Sequence, residues 1–244
     1  MKKNIKMQNK HSSNINIPMI KVVLSCLIYL CSFSLYAHAV DESTQQFLLQ
    51  SSGAQIGPFL YIGADHMLTG YDHLLFLFGV IFFLYKTKDI LLYVSLFTLG
   101  HSITLLYGVL SNIQVNAYII DAIIGLSVVY KAFDNLGGFK RYFNITPNNK
   151  IAILIFGLFH GLGLATKLQE LQLPTDGLLN NLIAFNIGVE LGQFFALAII
   201  VIALTFWRSK PSFHRFATTS NTLLMSCGFM LIGYQLTGYF INSV

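Results

Sequence analysis

The sequence predicts an all-α integral membrane protein: a cleavable N-terminal signal peptide followed by a six-helix transmembrane bundle. Three observations carry that expectation. The 244 residues are 55% hydrophobic and only 10% charged, which excludes a disordered chain and disfavours a water-soluble globule. Beyond the N-terminal region, six apolar segments of roughly the 20 residues that a bilayer crossing needs are separated by polar breaks. The basic residues fall unevenly on those breaks.

Residues 1–39 read as the signal peptide. Lys2, Lys3, Lys6, Lys10 and Lys21 precede the apolar run VVLSCLIYLCSFSLY, and Ala37-His38-Ala39 supplies a small-residue cleavage pattern. The mature chain is expected to begin near Val40; cleavage after Ala37 and retention as an uncleaved anchor are the alternatives. Residues 40–58 form a short extracytoplasmic segment and residues 59–244 the transmembrane domain. Its spans are expected at 59–85, 90–111, 116–134, 150–167, 178–207 and 216–241. The breaks are residues 86–89, Ser111-Asn112, the loop 135–149, residues 174–177 and residues 208–214.

With the mature N-terminus outside, Lys86, Lys88, Lys131, Lys140, Arg141, Lys150, Arg208, Lys210 and Arg215 fall on the cytoplasmic side. Only Lys167 falls outside. That asymmetry puts both mature termini on the periplasmic face of the inner membrane. The net charge of +5 is thus spread along the chain, and no single patch suggests nucleic acid as a partner. Cys26, Cys31 and Cys227 form neither a CxxC motif nor a disulfide framework. No internal repeat stands out.

Chemistry enters through polar residues inside the spans. The first span carries two Asp-His pairs, Asp65-His66 and Asp72-His73, seven residues apart and so on nearly one helical face. An ionised group at the bilayer centre costs roughly 2.5–3.5 kcal/mol on insertion scales. Gly70, between the pairs, either bends the helix or serves as a packing glycine. The second span contains FTLGHSITL, with His101 and Ser102, and the third carries Asp121. The fourth, FGLFHGLGLA, sets His160 among glycines that suit close helix packing. In the fifth, FNIGVELGQ, one stripe holds Asn186, Glu190 and Gln193. Only Glu190 of these has a charge to offset a divalent ion, so it is expected nearest the metal, as ligand or proton acceptor. Taken singly, a histidine here is as readily an interhelical hydrogen-bond partner, and Asn186 and Gln193 are as readily structural glue. Taken together, four histidines and four carboxylates escape lipid only by converging on a shared polar interior.

The strings HMLTGYDHLLFL, FTLGHSITL, the VVY of LSVVYKAFDN, FGLFHGLGLA and FNIGVELGQ, in this order, resemble the HupE/UreJ family of integral membrane proteins. The resemblance runs from about Gly63 to Gln193. It implies a six-span, signal-bearing permease linked to nickel or cobalt supply, in a hydrogenase or urease maturation context. By that resemblance His66, Asp72 and His73 match an H-x5-D-H motif for metal passage. His101, His160 and Glu190 match the remaining motif positions. Asp65, Ser102, Asp121, Asn186 and Gln193 are the supporting residues. Two departures stand out: Asp121 replaces the usual glutamate, and no His-rich stretch follows the signal, leaving only His38.

The expected function is a membrane permease for a divalent transition-metal ion, Ni²⁺ or Co²⁺ first and Zn²⁺ as a further candidate. Imidazole and carboxylate ligands suit these ions, and the lack of Cys at the motifs argues against Cu⁺. No nucleotide-binding motif is present, so coupling is expected to ion gradients or a downstream sink. The alternative is a membrane-embedded Zn²⁺ hydrolase, with Ser102 beside His101 and Glu190 as general base. The ion, the direction of movement, the coupling and the oligomeric state are not written in the sequence.

Overall fold

The computed structural model describes residues 53–170 and 175–242. The expected signal peptide, the first part of the extracytoplasmic segment (residues 40–52) and the break at Pro174 lie outside the described residues. Seven helices follow in order: α1 (Ile56–Thr69), α2 (Tyr71–Ile81), α3 (Thr87–Leu110), α4 (Ala117–Asn135), α5 (Asn149–Glu170), α6 (Leu178–Arg208) and α7 (Ser212–Asn242). A π-helical turn, Phe139–Phe143, follows α4, and no strand occurs among the described residues. Among the described residues four helices, α3, α5, α6 and α7, are long and apolar enough to cross a membrane. The 19-residue α4 carries Asp121, Lys131 and Asp134. The first expected span is two helices, because the chain leaves helical geometry at Gly70 (φ −70°, ψ 97°).

The helices associate in three tight pairs, α1 with α6, α3 with α5 and α4 with α7. Lipid tails are as apolar as leucine, so hydrophobicity alone gives helices little reason to pair inside a membrane; close backbone approach does. Glycines supply it. Any Cβ on Gly188 would collide with the Leu60 backbone, and one on Gly192 with that of Ala64. In the second pair Gly157 lies against the Phe97 backbone, Gly161 against that of His101, and Gly100 against that of Leu154. Gly125 and Gly228 meet each other's helices in the third. The Gly157-x-x-x-Gly161 and Gly188-x-x-x-Gly192 spacings put each glycine pair on one face. Contacts ascending together make α1 parallel to α6 and α3 parallel to α5. Asp121–Gln235 and Asn135–Asn221 contacts make α4 antiparallel to α7.

Polar staples fix helix ends. The Arg208 guanidinium donates to the carbonyls of Ile81 and Phe82 (the latter at 2.8 Å) where α2 stops, Ile81 O also accepting from Leu84 N–H. It also lies 4.6 Å from the Tyr85 ring centre. Asn135 Nδ2 donates to Gly79 O and to Asn221 Oδ1, both at 2.8 Å, joining α2, α4 and α7. Lys131, counted among the cytoplasmic-side basic residues, is buried in α4 and paired with Asp134 at 2.6 Å.

Candidate metal centre

Four imidazoles converge where α2 packs among its neighbours. His66 ends α1 and His73 begins α2, so the break at Gly70 folds the two rings together, with centroids 5.2 Å apart. The break is held by Gly70 N–H donating to His66 O at 2.9 Å. There is no room for a side chain there: a Cβ would stand 2.9 Å from both His66 O and His73 Nδ1. From the other side, the glycine seam between α3 and α5 brings His101 to 6.1 Å and His160 to 4.9 Å from His73, ring centre to ring centre. These contacts are edge-to-face, with interplanar angles of 72–82°. Phe76, Phe97 and Phe185 pack against the same rings, Phe97 lying nearly parallel to His101. His73, His101 and His160 are each at most 4% exposed.

Hydrogen bonds fix how two of these rings present themselves. His160 Nδ1–H donates to Phe156 O at 2.7 Å, since a carbonyl only accepts. His73 Nδ1–H donates to Asp72 Oδ1 at 2.9 Å. That same oxygen accepts from the His73 backbone N–H at 2.9 Å, in the first turn of α2, where a carboxylate also meets the positive end of the helix dipole. Each ring therefore turns its Nε2 lone pair inward. Both Nε2 atoms, and both ring nitrogens of His101, are buried without a hydrogen-bond partner. A carboxylate or backbone carbonyl holding Nδ1–H while Nε2 stays free is how proteins orient metal-binding histidines. Among the described residues, no three His, Cys, Asp or Glu side chains already form a coordination sphere.

A cavity of ≈ 10 Å³, about what one water needs, adjoins His73. Met67, Phe97 and Gln193 share its lining. Met67 follows directly on His66 in the sequence, yet its apolar character hid it among core residues. It is 1% exposed.

The remaining expected residues go elsewhere. Glu190 is exposed and lines an outer groove between α3 and α6, together with Ser102. On the same α6 stripe Gln193, buried and bonded to Thr98 Oγ1 at 2.8 Å, lines the cavity beside His73. Three residues along a helix turn the direction by about 60°, enough to separate an inward from an outward side chain. Ser102 Oγ donates to Asn186 Oδ1 at 3.2 Å. Asp65 is exposed on α1. Asp121 belongs to a separate junction: Lys167 Nζ lies 2.8 Å from Asp121 Oδ2, and Gln235 Nε2 donates to the same oxygen at 3.3 Å. Lys167, the expected last residue of the fourth span, lies inside α5, which runs on to Glu170.

Residues 42–243 match the family model described as "HupE / UreJ protein". The chain belongs to the HupE/UreJ family. No curated protein and no solved structure matches it. The family match runs through all seven helices, so chamber, groove and Asp121 junction all lie within the HupE/UreJ region.

Proposed function

We propose that this HupE/UreJ protein is a permease for a divalent transition-metal ion, Ni²⁺ or Co²⁺ ahead of Zn²⁺, and that the ion's intramembrane station is the four-histidine chamber. One observation carries the reading: buried imidazole lone pairs at His73 and His160 with no hydrogen-bond partner, each ring held by its other nitrogen. A buried polar atom left unsatisfied costs about 1–3 kcal/mol, a cost that a passing cation removes. An ion about 2 Å from each ligand nitrogen stands about 3 Å from each ring centre, so rings up to about 6 Å apart can share it. The ring spacings of 4.9 Å and 6.1 Å suit that limit with small rotations. Asp72 acts as a positioning residue through His73, and imidazole ligands suit Ni²⁺, Co²⁺ and Zn²⁺.

The helix directions support six crossings, with α1 and α2 together making the first and α4 the third. Alternate crossings must run oppositely, and parallel α1 and α6, parallel α3 and α5, and antiparallel α4 and α7 meet that requirement. With the signal removed near Val40, both mature termini lie on the periplasmic side of the inner membrane, and metal delivery serves hydrogenase or urease maturation. The hydrolase alternative gains no support from the serine, whose hydroxyl is engaged by Asn186. The test is uptake of radiolabelled nickel and cobalt by cells holding equal amounts of wild type and His73→Ala. Uptake is expected to fall to background with membrane insertion intact; wild-type uptake by the variant would remove His73 from the mechanism.

A further inference from the structure

The groove between α3 and α6 has a volume of ≈ 400 Å³, and Ser95, Thr98, Ser102, Glu190 and Gln193 line it among apolar side chains, although it opens on the outer surface of two apolar helices. Ser102 bonded to Asn186 and Thr98 bonded to Gln193 set α3 and α6 antiparallel, and place Glu190 level with the turn between those two bonds. Among the described residues Glu190 makes no hydrogen bond or ion pair, near the middle of a 31-residue apolar helix. A carboxylate at that depth needs water or a cation beside it. Gln193 and Val94 line both this groove and the small cavity against His73, so they are the partition between the two. Gln193 is 2% exposed; its Oε1 is held by Thr98, while its Nε2 is buried with no partner. The polar part of the partition is therefore a single amide, fixed at one atom.

We infer that the α3–α6 groove is a water-filled antechamber that binds a hydrated divalent cation at Glu190, and that the Gln193–Thr98 bond is the gate between it and the histidine chamber. The inference rests on the permease reading and adds a second site to it. Glu190 supplies charge to a cation that keeps its water. Ser102 and Thr98, whose hydroxyl protons go to Asn186 and Gln193, offer their oxygens as acceptors to that water, and the Gln193 amide must swing aside before the ion trades water for imidazole. Outer-groove ligation is by oxygen alone and inner ligation by nitrogen, so the two stations differ in the chemistry they offer an ion.

The test uses the full chain in proteoliposomes, with its native cysteines replaced and a single Ser102→Cys introduced, or Ser95→Cys where that variant folds better. A membrane-impermeant thiol reagent should label the cysteine, and Co²⁺ should slow labelling several-fold. Adding Glu190→Gln should abolish the cobalt protection; adding His73→Ala should leave it while uptake is lost. Gln193→Ala should raise the cobalt exchange rate several-fold. An unreactive cysteine at both positions, or protection that survives Glu190→Gln, would overturn the antechamber while leaving the chamber intact. Histidine-independent uptake would instead remove the chamber from the path, and an absence of cobalt uptake by wild type would overturn the permease reading.

Discussion

Two of the regions that hold ionisable side chains within the helices of this protein are solved in opposite ways. At the junction of α4, α5 and α7 the charges cancel locally: Asp121 meets Lys167 at 2.8 Å and takes a hydrogen bond from Gln235. In the chamber, His73 and His160 are oriented by Asp72 and Phe156 O, and their Nε2 atoms, like both ring nitrogens of His101, are buried without a hydrogen-bond partner. The first arrangement is what stability alone asks of a buried charge; the second is costly unless something else completes it. Polar residues in apolar helices are thus not one class. What separates them is whether their partners are already present in the fold.

That contrast can be broken by substitution, and the largest effect is expected at the junction. Asp121→Asn should destabilise the protein by about 2 kcal/mol, less than the roughly 3–5 kcal/mol of a fully buried pair because Lys167 keeps some contact with its surroundings. The side chain of Lys167 is 25% exposed. The thermal-unfolding midpoint in detergent measures it, and adding Lys167→Met should recover much of the loss. An unchanged midpoint in Asp121→Asn would show that the pair is not structural.

A smaller effect is expected from Gly70→Ala. The added methyl is forced against His66 O and His73 Nδ1, at a cost of about 1–2 kcal/mol typical of overpacking. Its main consequence should be spectroscopic: the visible absorption of bound Co²⁺, which reports nitrogen ligation, should weaken or shift more than stability falls. A wild-type spectrum would mean that the spacing of His66 and His73 is not critical.

Smallest in stability is His101→Leu, expected to lie within about 1 kcal/mol of wild type, because a ring with two unpartnered buried nitrogens gives up little when replaced by an apolar side chain of similar size. Cobalt affinity should nevertheless fall at least about tenfold, in the range typical when a metal site is disturbed. A large stability loss with unchanged affinity would reverse the distinction drawn between the two regions.

Much of this was legible in the sequence. The apolar segments fix the helix bounds to within a few residues, and the cost of charge in lipid is enough to require that His66, His73, His101 and His160 meet. The glycines of FGLFHGLGLA do act as a packing seam, since His160 faces the chamber only because Gly157 and Gly161 admit α3. Glu190 and Lys167 were harder. Spacing along a helix says which residues share a stripe but not which neighbouring helix that stripe meets, and Glu190 and Gln193 part company on about 60° of rotation. Lys167 was expected to close the fourth span on the outer side; Gln169, which donates to Gly108 O and Ile113 O, carries the helix past it.

The glycine seams have one more consequence, a mechanical one. Backbones locked together at Gly188 and Gly192, or at Gly157 and Gly161, behave as stiff two-rod beams, because separating them would sacrifice their closest contacts. His66 rides on the first beam; His101 and His160 ride on the second; His73 sits on α2, joined to the first only through the bend at Gly70. The width of the chamber is therefore the clearance between two beams, adjustable by a slight tilt that leaves every seam intact.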